Sequence, residues 1–166
     1  MPKKEDDILR KLNVPWITKD GYLDLAKFPI DSVLKQAISG KEKDFQSACR
    51  TLTSMYAAGR SEAGIFLFGL LIQYADDIVR KEEIVEALGH IKTKATADLL
   101  FRELRLIVSS NTTRIYINRV LKSLKRFPLE FIEDGFEDLL TDSKWSYRMK
   151  KKFKDIIEEV EYRNWG

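Results

Sequence analysis

A helical pattern that recurs at about 33 residues limits what this chain can fold into more than any other feature, and it is clearest from Asp77 to Leu104, DIVRKEEIVEALGHIKTKATADLLFREL. Shifting by 33 residues carries Ile84, Ala87, Leu88 and Ile91 onto Ile117, Val120, Leu121 and Leu124. Both sets have the i, i+3, i+4, i+7 spacing that places apolar side chains on one face of a helix. The opposite shift carries Leu100 onto Leu67 and Leu88 onto Met55, so the preceding segment fits the same frame. The last segment drifts by about a residue, with Met149, Phe153, Ile156, Ile157 and Val160 as its stripe. No single repeat can bury such a stripe alone. Stacking neighbours against one another completes the core.

Punctuation between the stripes sets the expected helices: 42–58, 62–74, 78–91, 95–109, 113–126, 128–141 and 145–163. Asp77, Thr93, Thr112 and Ser143 are N-cap residue types, and Pro128 suits a first helical turn. Connections this short make consecutive helices antiparallel neighbours. Residues 1–40, punctuated by Pro15, Gly21, Pro29 and Gly40, read as an irregular N-terminal capping segment, with the repeat array over 41–166. A helix is expected after Pro29, over IDSVLKQAIS.

Periodicity alone suits an irregular helical bundle as well as a repeat array. The wording of the middle repeat separates them. Asp77, Val79, Arg80, Ala87, Leu88, Gly89, Ile91, Ala97 and Leu100 resemble the signature of HEAT-like (armadillo-related) repeats, in which a helix reading D-x-V-R and then A-L-G-x-I precedes one with the A-x-x-L spacing of Ala97 and Leu100. The likeness is specific over Asp77–Leu104 and weaker over Thr113–Leu140, where Arg114 stands in a place similar to Arg80 but no glycine matches Gly89. It implies an all-α fold, a right-handed α-solenoid of antiparallel helix pairs in which helices like 78–91 line the concave face. It also assigns Asp77, Arg80 and Arg114 mainly to structure, since an arginine at this place commonly pairs with an acid between units.

Charge segregates by helix. Segment 113–126 carries Arg114, Arg119, Lys122, Lys125 and Arg126 without an acid, and 144–154 carries Lys144, Arg148, Lys150, Lys151, Lys152 and Lys154. The helix between them carries Glu130, Glu133, Asp134, Glu137 and Asp138 without a base. Alternate helices of an antiparallel array share a face, which puts the two basic helices side by side. The stripes leave Arg119, Lys122, Arg126, Arg148, Lys151 and Lys154 outward, and these six are the expected binding residues. An acidic protein is the first expected partner. Nucleic acid is the alternative, because lysine and arginine contacts to phosphates supply most nonspecific affinity. Solvated helix faces carry the same pattern, their long stems covering apolar surface. Tyr116 and Tyr147 lie near the basic run, where they could stack on bases or belong to the core, and Tyr147 is expected to pack. Oligomeric state is not legible.

Signals for catalysis are sparse. His90 is the sole histidine and sits at the edge of its stripe, where a surface or hydrogen-bonded role is expected. Asp76, Asp77, Glu82 and Glu83 lie early in a helix, where the dipole favours negative charge. No phosphate-binding glycine loop, cysteine pair or EF-hand spacing occurs, so no enzyme activity, metal or cofactor is expected. Gly64 and Gly69 are expected to permit close helix packing. Cys49, the one cysteine, reads as a small buried hydrophobe. Trp145 is expected to staple the last helix to the acidic one, and Trp165 to cap the array or meet a partner. The longest apolar run, Ile65–Ile72, is far below the roughly 20 residues of a membrane span, and MPKKEDDILRK lacks a secretory apolar region. A cytoplasmic protein without a membrane partner is the expectation, and a net charge of +3 is too small to name a partner.

Overall fold

The structure, a computed structural model, describes residues 24–165, which form eight helices and no strand. Residues 1–23, with Trp16 and most of the expected capping segment, lie outside the described residues, as does the side chain of Trp165. The helices are α1 (Ile30–Ala37), α2 (Glu42–Ala57), α3 (Glu62–Gln73), α4 (Ile78–Leu88), α5 (Lys94–Leu106), α6 (Arg114–Leu124), α7 (Leu129–Thr141) and α8 (Tyr147–Trp165). Two compact units divide the chain within α3, at Phe68 and Gly69.

In the first unit α1 packs on α2, burying Val33 and Ala37 on one helix and Phe45, Ala48, Cys49, Leu52 and Met55 on the other. Gly59, with a φ of 98°, ends α2. The Gly59 and Arg60 amides donate to the Tyr56 and Met55 carbonyls, the paired arrangement that closes a helix through a left-handed residue. The same turn positions Arg60, which ion-pairs with Glu62 and donates through Nη1 to the carbonyl of Phe28 at 2.8 Å. A guanidinium thereby ties the segment before α1 to the turn after α2.

In the second unit α4 lies beside α6 and α5 beside α7, while α5 also meets α6 and α7 meets α8. Neighbours two apart in sequence therefore pack side by side. Both repeat stripes are buried: Ile84, Ala87, Leu88 and Ile91 above, and Ile117, Val120, Leu121 and Leu124 below. In the last stripe Phe153, Ile156 and Val160 are buried, with Met149 and Ile157 at its edge. An aromatic chain runs from Phe101 of α5 edge-on to Phe136 of α7 at 5.0 Å, on to Phe153 of α8 at 5.8 Å, and to Trp145 at 5.4 Å. Trp145 precedes α8 rather than beginning it and packs on Phe153 of α8, whereas the aromatic link to the acidic α7 is Phe136 on Phe153.

Local chemistry accounts for most helix ends. Asp77 caps α4 by accepting the Arg80 amide at 3.1 Å, and Thr93 caps α5 by accepting the Thr96 amide at 3.2 Å, as their types require. Two caps differ from expectation. Thr113 rather than Thr112 precedes α6 and makes no side-chain cap; its oxygen instead accepts the Ser110 amide at 3.0 Å while its hydroxyl donates to the Val108 carbonyl at 2.7 Å. Ser146 rather than Ser143 accepts the Met149 amide, at 3.2 Å, so α8 begins later than the sequence suggests. Gly69 is exposed with open space around it and permits no close approach. That role falls to Gly135, where a Cβ would overlap the Phe101 ring, and to Gly89, where one would lie 2.8 Å from Ser123 Oγ.

Candidate binding cleft between helices α6 and α8

Rows of side chains face one another across α6 and α8. Residues 114, 118 and 122 of α6 and its C-cap Lys125 lie on one flank, and 148, 152, 155 and 159 of α8 oppose them, as helical spacing permits. Lys152 Nζ donates to Asn118 Oδ1 at 2.6 Å, Lys125 pairs with Glu159 at 3.2 Å, and Arg163 donates to the Lys125 and Phe127 carbonyls at 2.7 and 3.0 Å. The last contacts satisfy carbonyls that the end of α6 leaves open, with the positive charge a helix C-terminus favours.

Two hollows follow this seam. One, of about 490 Å³, lies where both helices begin and is lined by Arg114, Arg148 and Lys152 together with Ser109, Ser110, Asn111, Ser146 and the apolar Ile117 and Met149. No carboxylate lines it. The other, of about 370 Å³, lies further along and mixes Lys122, Lys125 and Lys152 with Asp155 and Glu159. The seam therefore runs from purely cationic to mixed in sign.

The six expected binding residues do not form one patch. Lys122 and Arg148 reach the seam, each in a different hollow. Lys151 and Lys154 are exposed but fall outside the 148, 152, 155, 159 row, on a flank they share with Glu158. Arg126 turns the other way. Its Nη2 donates to Glu86 of α4 at 2.9 Å and its Nη1 lies 3.1 Å from His90 Nε2. Arg119, half-buried, shares that flank seven residues earlier, and Ser123 between them donates to the Val85 carbonyl at 2.7 Å. Lys144 leaves the basic run altogether, since its ammonium donates to the Leu104 and Arg105 carbonyls at 2.8 and 3.0 Å and burial pushes its pKa down.

Arg114 and Lys152 are the cleft residues that sequence reasoning left out. Arg114, assigned to structure by analogy with Arg80, makes no carboxylate pair among the described residues. Its Nη2 donates to Asn111 Oδ1 at 3.2 Å, whereas Arg80 does pair with Asp77, at 3.3 Å. Tyr116 is fully buried and Tyr147 is 85% exposed, the reverse of packing at Tyr147. Tyr116 donates to Glu103 Oε1 at 2.7 Å, and the same oxygen takes Lys81 Nζ at 2.6 Å. Burial first, and then this acidic partner, push the phenol pKa far up, so the hydroxyl is a permanent donor.

His90 is hydrogen-bonded, as expected. An arginine can only donate, so His90 Nε2 accepts and the proton sits on Nδ1. Partial burial and then the Arg126 charge lower its pKa. Burial would raise that of Glu86, but the Arg126 hydrogen bond and charge outweigh it and the net shift is down. No group of three or more metal-ligating side chains occurs among the described residues. No described helix is long and apolar enough to cross a membrane.

No family model, no curated protein and no solved structure matches the chain.

Proposed function

We propose that the chain is a non-catalytic HEAT-like repeat protein, a right-handed α-solenoid of antiparallel helix pairs, that binds an acidic protein partner on the face shared by α6 and α8. The packing of α4 beside α6 and of α5 beside α7 supports the repeat reading, because in a stacked array every second helix belongs to the same layer. The acidic row of α7 includes Glu130, Glu133, Asp134, Glu137 and Asp138, all exposed, and it is not part of the α6–α8 seam, so its field does not cancel the cations there.

What carries the binding reading is the cationic hollow at the start of the seam, three basic side chains without a lining carboxylate. Like charges brought together repel unless a partner supplies the opposite sign. A nucleic acid would use the same face, but Asp155 and Glu159 interrupt the seam within two helical turns, which a strand with a phosphate at every residue tolerates poorly.

Capture from native lysate by the purified chain, with and without nuclease, tests this reading. The comparison protein carries Lys122→Glu, Arg148→Glu and Lys151→Glu, and leaves the Arg126–Glu86 pair intact. The expected result is a defined protein that resists nuclease, is lost from the variant and rebinds when purified. Equal capture by both forms, or capture that nuclease abolishes, would overturn it.

A further inference from the structure

We propose that the cleft where α6 and α8 begin is a phosphoryl-binding site, and that its ligand is a phosphorylated serine or threonine on a partner polypeptide. The inference rests on the protein-binding reading above and specifies the chemistry of the partner.

The state of the cations is the reason. Just past the end of α6 two basic side chains meet carboxylates, Lys125 on Glu159 at 3.2 Å and Arg126 on Glu86 at 2.9 Å, while Lys151 and Lys154 stand singly on an exposed flank beside Glu158. In the cleft the acceptors are amides instead, Asn111 for Arg114 at 3.2 Å and Asn118 for Lys152 at 2.6 Å. An amide oxygen directs a cationic donor without neutralising it, and Arg148 has no ion pair among the described residues. Three positive charges without a carboxylate partner therefore line one concave space. Two of them are arginines, whose planar fork matches phosphate oxygens.

The remaining lining suits the same group. Ser109, Ser110 and Ser146 line the cleft, the Ser110 hydroxyl being bonded to that of Thr112 at 2.8 Å. Ser146 accepts the Met149 amide and keeps its own O–H free to donate. Ile117 and Met149 supply an apolar wall for the carbon atoms that carry the phosphate. The volume, about 490 Å³, is in the range of small-ligand pockets and takes a phosphorylated side chain with its flanking backbone. The positive ends of two helix dipoles open nearby and add to the field.

A monoester fits better than a strand of diesters. A phosphorylated side chain concentrates roughly −1.5 to −2 charges on one group, which answers three cations in one place. A nucleic acid spreads single charges along its length, and its next phosphates would meet Asp155 and Glu159 in the adjoining hollow.

The test is an amide-shift titration of the isotopically labelled full chain with four probes: inorganic phosphate, a Gly-Ser peptide with one central phosphoserine, its unphosphorylated form, and a uridine oligonucleotide. The phosphopeptide should shift the amides of Ser110, Asn111 and Met149 and bind about tenfold tighter than inorganic phosphate, and the unphosphorylated peptide should leave them in place. Arg114→Gln and Arg148→Gln should each weaken it about tenfold, the order of one charge-assisted contact, with melting temperatures unchanged because both side chains are exposed. Lys43→Gln, on α2 and absent from the cleft lining, should bind as the parent does. Unperturbed cleft amides, full binding by both arginine variants, phosphate binding equal to the phosphopeptide's, or tighter oligonucleotide binding at the same amides would each overturn the proposal. Phosphatase treatment of the lysate separates it from the broader reading: capture of the same protein after treatment leaves protein binding standing and removes the phosphoryl requirement, and loss of capture supports both.

Discussion

Lys81, Glu103 and Tyr116 join α4, α5 and α6 through one carboxylate oxygen, and the sign of their contribution can be tested. Glu103 is 6% exposed and Tyr116 wholly buried. The Glu103 Oε1 atom takes the tyrosine hydroxyl at 2.7 Å and the Lys81 ammonium at 2.6 Å. Removing the hydroxyl alone (Tyr116→Phe) leaves the ring packing intact and deletes one hydrogen bond to an ionised acceptor, a loss of about 1.5–3 kcal/mol. Lys81→Met strands the carboxylate. Breaking a buried pair costs about 3–5 kcal/mol, and Arg102, 3.8 Å from the other carboxylate oxygen, holds the loss to the lower end, about 3 kcal/mol. At about 2–4 °C per kcal/mol for a chain of this size, the lysine variant should melt roughly 6–12 °C below the parent. Replacing the whole network (Lys81→Met, Glu103→Leu, Tyr116→Phe) should come back to within about 1 kcal/mol of the parent, because no buried polar group is left without a partner. Urea unfolding followed by circular dichroism measures all three. A Tyr116→Phe loss below about 0.5 kcal/mol, or a triple variant as unstable as the sum of its parts, would refute this account.

Four further outcomes follow from particular contacts. His90 has a pKa below its ordinary 6.5, so on acidification the unfolded chain takes up a proton that the folded chain resists; stability is complete above that value and falls below it, and His90→Gln should remove this part of the urea-midpoint decline. Glu86, lowered from 4.5, works in the same direction in a more acid window, with stability present above 4.5 and lost as pH falls through the folded value, a loss that Glu86→Gln should flatten. Gly135→Ala drives a methyl group into the Phe101 ring and should cost about 1–3 kcal/mol of overpacking, less when combined with Phe101→Leu; purely additive losses in thermal melts would contradict the overlap. Asp77→Ala should cost about 1 kcal/mol through the lost α4 cap and Asp77→Asn much less, with amide exchange of the first turn of α4 as the readout.

Helix placement and the buried stripes were legible because they depend on neighbours within about a turn of sequence. Capping side chains, glycine ends and the 3.6-residue period act locally, and Asp77, Thr93 and the two repeat stripes behave as their spacing requires. One cap differs where the hydroxyl oxygen takes another amide, as Thr113 takes that of Ser110, and another where a serine three residues on, Ser146, accepts instead of Ser143. Charge was legible helix by helix, so the basic character of α6 and α8 and the acidic character of α7 could be read directly. The identity of the cations that share a space could not. Arg126 and Glu86 are 40 residues apart, and Lys152 and Asn118 are 34 apart; which flank of each helix meets the other depends on its rotation about its own axis. A few tens of degrees turn Arg126 toward α4 and Arg114 into the hollow that Arg148 also lines, and side-chain packing in the assembled core sets that angle. Local sequence thus determined the helices and their signs, and only tertiary structure decided which charges cancel and which remain for a partner.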